Sequence, residues 1–218
     1  MSKKVGAWRL CQVLLGVSLL AGCAVSPGNG RSVGVYDFGL PVVRSGGADA
    51  EWPRVALEVV SPPWFDLLNV DYRLAYDDPL KQREYSGSRW AGAPGLLLSQ
   101  HLRQRLGMAS ATGNAAAECL LRFDLQEFSQ VFDSPTQSRG VLQGSASLID
   151  ARKQRVAGRQ FSIEKPAASQ DARGGVDALV AAGSDLALQL ALWLDSLEKD
   201  KTMARCQGAT PATAVIRK

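Results

Sequence analysis

The sequence predicts an α/β chain of the α+β kind: one mixed, largely antiparallel sheet with two main helices packed against it. Three observations carry this. Short runs of alternating apolar residues recur between residues 33 and 164, separated by turn residues. Two stretches, from Pro94 and from Val176, instead repeat apolar residues at helical spacing. Their order is strands, helix, strands, helix, which sets both helices on one sheet.

The elements follow in chain order. Val33 to Leu40 (VGVYDFGL) reads as a first strand, with Val33 and Val35 inward and Phe38 a further candidate. Pro41 and the Ser45-Gly46-Gly47 cluster close it into a loop. Arg54 to Val60 alternates Val55, Leu57 and Val59, and Pro62-Pro63 stops it. Asn69 to Tyr76 places Val70, Tyr72, Leu74 and Tyr76 on one face, and Asp77-Asp78-Pro79 reads as a turn. Gln82 to Trp90 is a further short strand. Pro94 opens a helix with Leu97, Leu98, His101, Leu102 and Leu106 on one side, and Gly107 ends it. Glu118 to Val131 is a long strand alternating Cys119, Leu121, Phe123 and Leu125. Arg139 to Asp150 and Arg155 to Glu164 form a hairpin around Ala151-Arg152-Lys153-Gln154. From Val176 through Leu179, Val180, Gly183, Leu186, Ala187, Leu190, Trp193, Leu194 and Leu197 runs an amphipathic helix of about six turns.

The N-terminus is of another kind. Lys3, Lys4 and Arg9 precede an apolar run from Leu10 to Val25, broken only by Gln12 and Ser18. That run is shorter than the roughly 20 residues that cross a bilayer core. A positive start, a short apolar middle and small residues at the end describe a signal peptide. Leu20-Ala21-Gly22-Cys23 looks like a bacterial lipobox. Residues 1–22 are then removed, diacylglycerol is joined to the Cys23 thiol, and palmitate is expected on the new amino group. Ala24 follows the cysteine, where lipoproteins retained in the inner membrane commonly carry Asp. The expectation is therefore an outer-membrane anchor facing the periplasm. Residues 23–32 are a flexible tether, 33–198 the folded domain, and 199–218 a disordered tail.

Charge excludes one class of function. The 218 residues carry 25 Lys+Arg and 21 Asp+Glu, a net charge of +4. Loss of Lys3, Lys4 and Arg9 leaves 22 basic residues against 21 acidic ones, or +1. The basic excess belongs to the targeting segment, so nucleic acid is not an expected partner.

No G-x-S-x-G, H-E-x-x-H, C-x-x-C or P-loop is present. Gly28, Gly30 and Gly34 have the wrong spacing for a nucleotide loop, and no strand precedes them. The lone histidine, His101, sits among Leu97, Leu98 and Leu102 and is expected to be structural rather than a general base. Asp77 and Asp78 read as turn chemistry, and Glu127 with Asp124 as the polar side of a strand. No catalytic, metal or cofactor site is expected beyond the covalent lipid. Two surfaces are candidates for a partner or for lipid. Trp64 and Phe65 follow a strand end, where they either meet a partner or fold back as a lid on the core. Arg152, Lys153, Arg155 and Arg159 make a basic hairpin, either a headgroup or acidic-surface contact or a solvated turn. Cys119 and Cys206 remain open between two readings. They pair in an oxidising compartment, or Cys119 is a small core residue and Cys206 a free thiol in the tail. The second is the working expectation, because sequence does not bring the two together.

One long block has a family look. It runs Val59-Val60-Ser61-Pro62-Pro63-Trp64-Phe65-Asp66, then Val70-Asp71-Tyr72-Arg73, Tyr85, Arg89-Trp90-Ala91, Pro94, Leu97-Leu98 and Leu102, after an early Tyr36-Asp37-Phe38-Gly39. With the lipobox and the long final helix, this resembles the ABC-type transport auxiliary lipoprotein family, which includes the lipoprotein partner of the Pqi transport system. The likeness covers roughly residues 18–198. It departs at Phe65, where the family has Leu, and at Leu67-Leu68, where a basic residue is usual. The resemblance implies a non-catalytic outer-membrane lipoprotein working with MCE-domain proteins and an ABC-type transporter on hydrophobic cargo such as phospholipid. In the Pqi-type case it implies a homo-oligomeric ring. The alternative reading is a structural or assembly lipoprotein of the envelope.

Overall fold

A computed structural model describes residues 32–40, 52, 54–111 and 117–206. The signal peptide, Cys23, the tether through residue 31 and residues 207–218 lie outside them.

Eight strands form one mixed sheet: β1 (Gly34–Tyr36), β2 (Val55–Val60), β3 (Asn69–Leu74), β4 (Asp78–Trp90), β5 (Ala109–Ser110), β6 (Cys119–Ser134), β7 (Gln137–Asp150) and β8 (Arg155–Pro166). Two long helices, α1 (Pro94–Leu106) and α2 (Ala172–Lys199), pack on the sheet and on each other. The central strand is β6. One of its edges takes β7 antiparallel, with β8 beyond. The other edge is shared. The first half of β6 takes β2 in parallel, and the second half takes β3 in parallel, with β4 and β1 beyond. β2 and β3 therefore follow one another along the same edge. Val60 pairs with Asp124 and Tyr72 with Gln130, so the chain uses twelve residues where β6 advances six. Pro62 and Pro63 cause the excursion, since neither offers an N–H to a ladder.

The sheet is mixed as expected. The pairs β1–β4, β2–β5, β2–β6 and β3–β6 are parallel, while β3–β4 and the long β6–β7 and β7–β8 ladders are antiparallel. Some boundaries move. β1 is only three residues long because Asp37 Oδ1 accepts the Gly39 N–H at 2.8 Å and turns the chain. β4 starts at Asp78 rather than Gln82, since the turn closes early with Asp77 N–H donating to Leu74 O at 3.0 Å. β6 contains a bulge between Leu125 and Glu127. That extra residue shifts the parity of the strand: Cys119, Leu121, Phe123 and Leu125 face the helices first, then Phe128, Gln130 and Phe132 are buried.

Pro94 sits at the first turn of α1, and Gly107 closes it in the left-handed region at φ 63°, its N–H on Arg103 O. α2 starts at Ala172, a turn before its apolar stripe, because Asp171 caps it by accepting from Gly174 N at 2.8 Å. α2 is long and apolar enough to cross a membrane. Here Leu179, Ala182, Leu186, Leu190 and Leu194 are wholly covered, so that stripe is core. Two glycines set how closely α2 descends. A Cβ on Gly140 of β7 would stand 2.8 Å from Leu179 N, and one on Gly183 would stand 2.8 Å from the Phe38 ring.

Two expectations are overturned. Val33 and Val35 face outward, 48% and 52% exposed, and Tyr36 and Phe38 pack against the core instead. Cys119, the first residue of β6, forms a disulfide with Cys206, with Cα atoms 5.2 Å apart. The tail is therefore not free from residue 199 onward. After α2, Thr202–Arg205 forms a 3₁₀ turn against α2 and β8, and Cys206 is buried behind it. The pairing escaped the sequence because 87 residues separate the two cysteines, and only the packing of α2 brings its end under the start of β6.

Candidate functional site

The excursion between β2 and β3 divides the aromatic pair. Phe65 N–H donates to Pro62 O at 2.9 Å and Asp66 N–H to Pro63 O at 3.1 Å, one tight 3₁₀ turn. The turn sends Phe65 into the core at 3% exposure and leaves Trp64 out at 64%. Phe65 is thus a core residue and offers nothing to a partner. Leu67 and Leu68, which in the sequence stand only as a departure from the family pattern, are exposed beside Trp64 in the chain. The surface this excursion offers is therefore Trp64 with Leu67 and Leu68.

Arg152, Lys153 and Arg155 are exposed on the β7–β8 turn. The turn is held by Asp150, whose Oδ1 accepts from Arg152 N at 2.9 Å and Gln154 N at 2.8 Å, and Lys153 is left-handed at φ 61°. Arg159 lies over the Phe161 ring at 5.1 Å. The two candidate surfaces do not form one site. Val60 is in register with Asp124 and Ser145, five residues short of Asp150, so the turn lies about 17 Å further along the sheet.

The structure adds a partly open cleft. A cavity of about 250 Å³ lies between the Asp37–Leu40 segment, α1 and α2, lined by Phe38, Leu97, His101, Arg105, Val180 and Ser184. Phe38 packs on His101 at 4.8 Å and stacks with Trp90 and Phe128. Ser184 Oγ donates to Val180 O at 3.1 Å. The same oxygen accepts from Arg105 Nη2 at 3.2 Å and lies 3.2 Å from His101 Nε2. Burial, reinforced by the Arg105 charge, lowers the His101 pKa to about 4, so the ring is neutral at pH 7. No hydrogen bond among the described residues joins a carboxylate to the ring, so the third member of a hydrolytic triad is missing there. The volume also falls below the roughly 300–1,000 Å³ of sites that enclose a drug-sized ligand. A two-chain phospholipid is larger still. Among the described residues no three His, Cys, Asp or Glu side chains converge to hold a metal.

Gln130 is buried and Asp71 half-buried, and no sequence pattern singles out either. Gln130 accepts from Tyr85 Oη at 2.9 Å and donates to Ser138 Oγ at 2.8 Å, beneath Gly175 of α2. Asp71, which accepts from Gln82 at 2.7 Å, has its pKa raised to about 6, chiefly by burial and then by Glu84 and Glu127. Both are placed by the pairing of β3 with β4 and β6, which no local pattern announces.

The described residues thus form a mixed sheet with two helices that presents an exposed Trp64 on a 3₁₀ turn and a basic β7–β8 turn. The sequence model of the family described as the ABC-type transport auxiliary lipoprotein component matches residues 47–191, and the chain belongs to that family. Two crystal structures share the fold. One, from Xanthomonas campestris and described under DUF330, is 20% identical with a TM-score of 0.60, covering 77% of this chain and 98% of its own. The other, an uncharacterised protein, is 16% identical with a TM-score of 0.58, covering 75% and 99%. No curated protein matches. By family the chain is a membrane-anchored envelope lipoprotein that associates with ABC-type transport, and the family points to an auxiliary role rather than an enzyme.

Proposed function

We propose that the protein is an outer-membrane lipoprotein, facing the periplasm, that serves an MCE/ABC-type intermembrane lipid transport system as a scaffold and carries out no chemistry itself. The family match over residues 47–191 carries this reading. Three further features support it. Leu20-Ala21-Gly22-Cys23 followed by Ala24 fits lipid attachment and export to the outer membrane. The Cys119–Cys206 bond fits an oxidising compartment. Trp64 and Leu67, 64% and 60% exposed, fit a role in receiving or positioning a partner. Trp64, with Leu67 and Leu68, is the contact proposed for that partner. The test is chemical cross-linking in intact cells, then affinity purification of the acylated protein and mass spectrometry. An MCE-domain protein among the main partners is expected. Recovery of peptidoglycan-associated or barrel proteins alone, in cells expressing their MCE proteins, overturns the reading in favour of an assembly lipoprotein. The implied ring is checked by the mass of the acylated protein in detergent.

A further inference from the structure

The fold gathers cations that the sequence scatters. Arg152, Lys153 and Arg155 stand on the β7–β8 turn, at the end of the sheet where β6 begins. The Cys119–Cys206 bond and the packing of Thr202–Arg205 on β8 bring Lys199, Lys201 and Arg205 to the same end. All six are exposed. Among the described residues none of the six has an ion pair, whereas Arg73, Arg83, Arg122, Arg139, Lys165 and Arg173 each hold a carboxylate. Nearby acids are few. Glu118 is taken by Arg54, and Asp150 by the turn amides. Glu198 and Asp200 are the others in the tail segment. The surplus is positive, and it sits on long side chains.

We propose that this end is a second membrane contact, in which the six cations rest on anionic phospholipid headgroups of the bilayer that holds the anchor. The inference rests on the lipid-anchored reading above. Long Lys and Arg side chains without an aromatic or a pocket among them suit a fluid headgroup layer better than a shaped protein surface. The anchor also makes that bilayer the surface most often met, because the encounter is intramolecular. Reach permits it. β1 runs opposite to β6, and Gly34 lies about 30 Å along the sheet from the β7–β8 turn. The ten residues 23–32 can extend to about 35 Å, which is long enough for that end to meet the bilayer that holds the anchor.

The test uses the full acylated protein in vesicles of phosphatidylcholine alone or phosphatidylcholine with phosphatidylglycerol. Flotation with phosphatidylcholine vesicles reports the anchor. Amide hydrogen exchange of residues 150–156 and 199–205 reports the contact. Exchange there is expected to slow by roughly tenfold with phosphatidylglycerol at low salt and to recover at high salt, while residues 134–138 at the far end do not change. The variants Arg152→Glu/Lys153→Glu/Arg155→Glu and, separately, Lys199→Glu/Lys201→Glu/Arg205→Glu should each weaken the effect and still float. Equal exchange in both vesicle types overturns the proposal and leaves the anchor intact. So does slowing that appears only when an acidic protein is added. Failure to float overturns the anchored reading itself.

Discussion

At the level of single residues, the buried His101 and the half-buried Asp71 pull stability in opposite directions with pH. His101 has its pKa lowered to about 4, so its contribution is full above 6.5 and is lost as pH falls towards 4. Asp71 has its pKa raised to about 6, so its contribution is full below 3.8 and is lost as pH rises through 6. Asp71→Asn should therefore stabilise the protein at pH 7, by about 1 kcal/mol after allowing for solvent screening, and gain nothing at pH 4. Thermal melts at the two pH values check it. Gln130→Leu should cost about 1–3 kcal/mol, because it strands the Tyr85 and Ser138 hydroxyls under α2. Denaturant titration reads that loss. Neither residue stands out in the sequence: Gln130 falls in a polar stretch, and only the β6 bulge turns it inward.

Among elements, the sequence was most legible where one period governs a long run. α2 was found by its 3.6-residue stripe and missed only its capped first turn. β7 and β8 are legible with their turn because two long strand-like runs flank the polar Ala151–Gln154 segment. Where tertiary pairing decides, pattern gave less. β5 has two residues, and β4 extends four residues earlier than its apolar pattern does. Trp64 and Phe65 are adjacent and similar in composition, yet one 3₁₀ turn gives them opposite fates. Phe65→Ala should cost about 3–5 kcal/mol in stability. Trp64→Ala should leave the melt unchanged within about 0.5 kcal/mol and lower cross-linking to the transport partner. A melt that drops equally for both would return Trp64 to the core.

For the whole molecule, the disulfide makes the C-terminal tail part of the domain. Cys119→Ser with Cys206→Ser should destabilise by about 2–4 kcal/mol, seen by denaturant unfolding, and should free residues 199–206 to proteolysis. Cys23→Ala should abolish fatty-acid labelling, and labelling equal to that of the unaltered chain would remove the anchor from the account. The α+β plan was legible because strand and helix patterns alternate cleanly. The division of one β6 edge between two strands was not, since it depends on where Pro62 and Pro63 send the chain.

β1 has a mechanical consequence. Three rungs, Gly34 with Ser88 through Tyr36 with Trp90, join the first segment of the domain to β4, backed by the Phe38 ring. A load drawn from the N-terminal side meets these rungs before it reaches β6, while the disulfide clamps the other end of the chain. β1 is then the fuse: under tension it should peel first and at low force, lengthening the leash while the rest of the sheet stays folded.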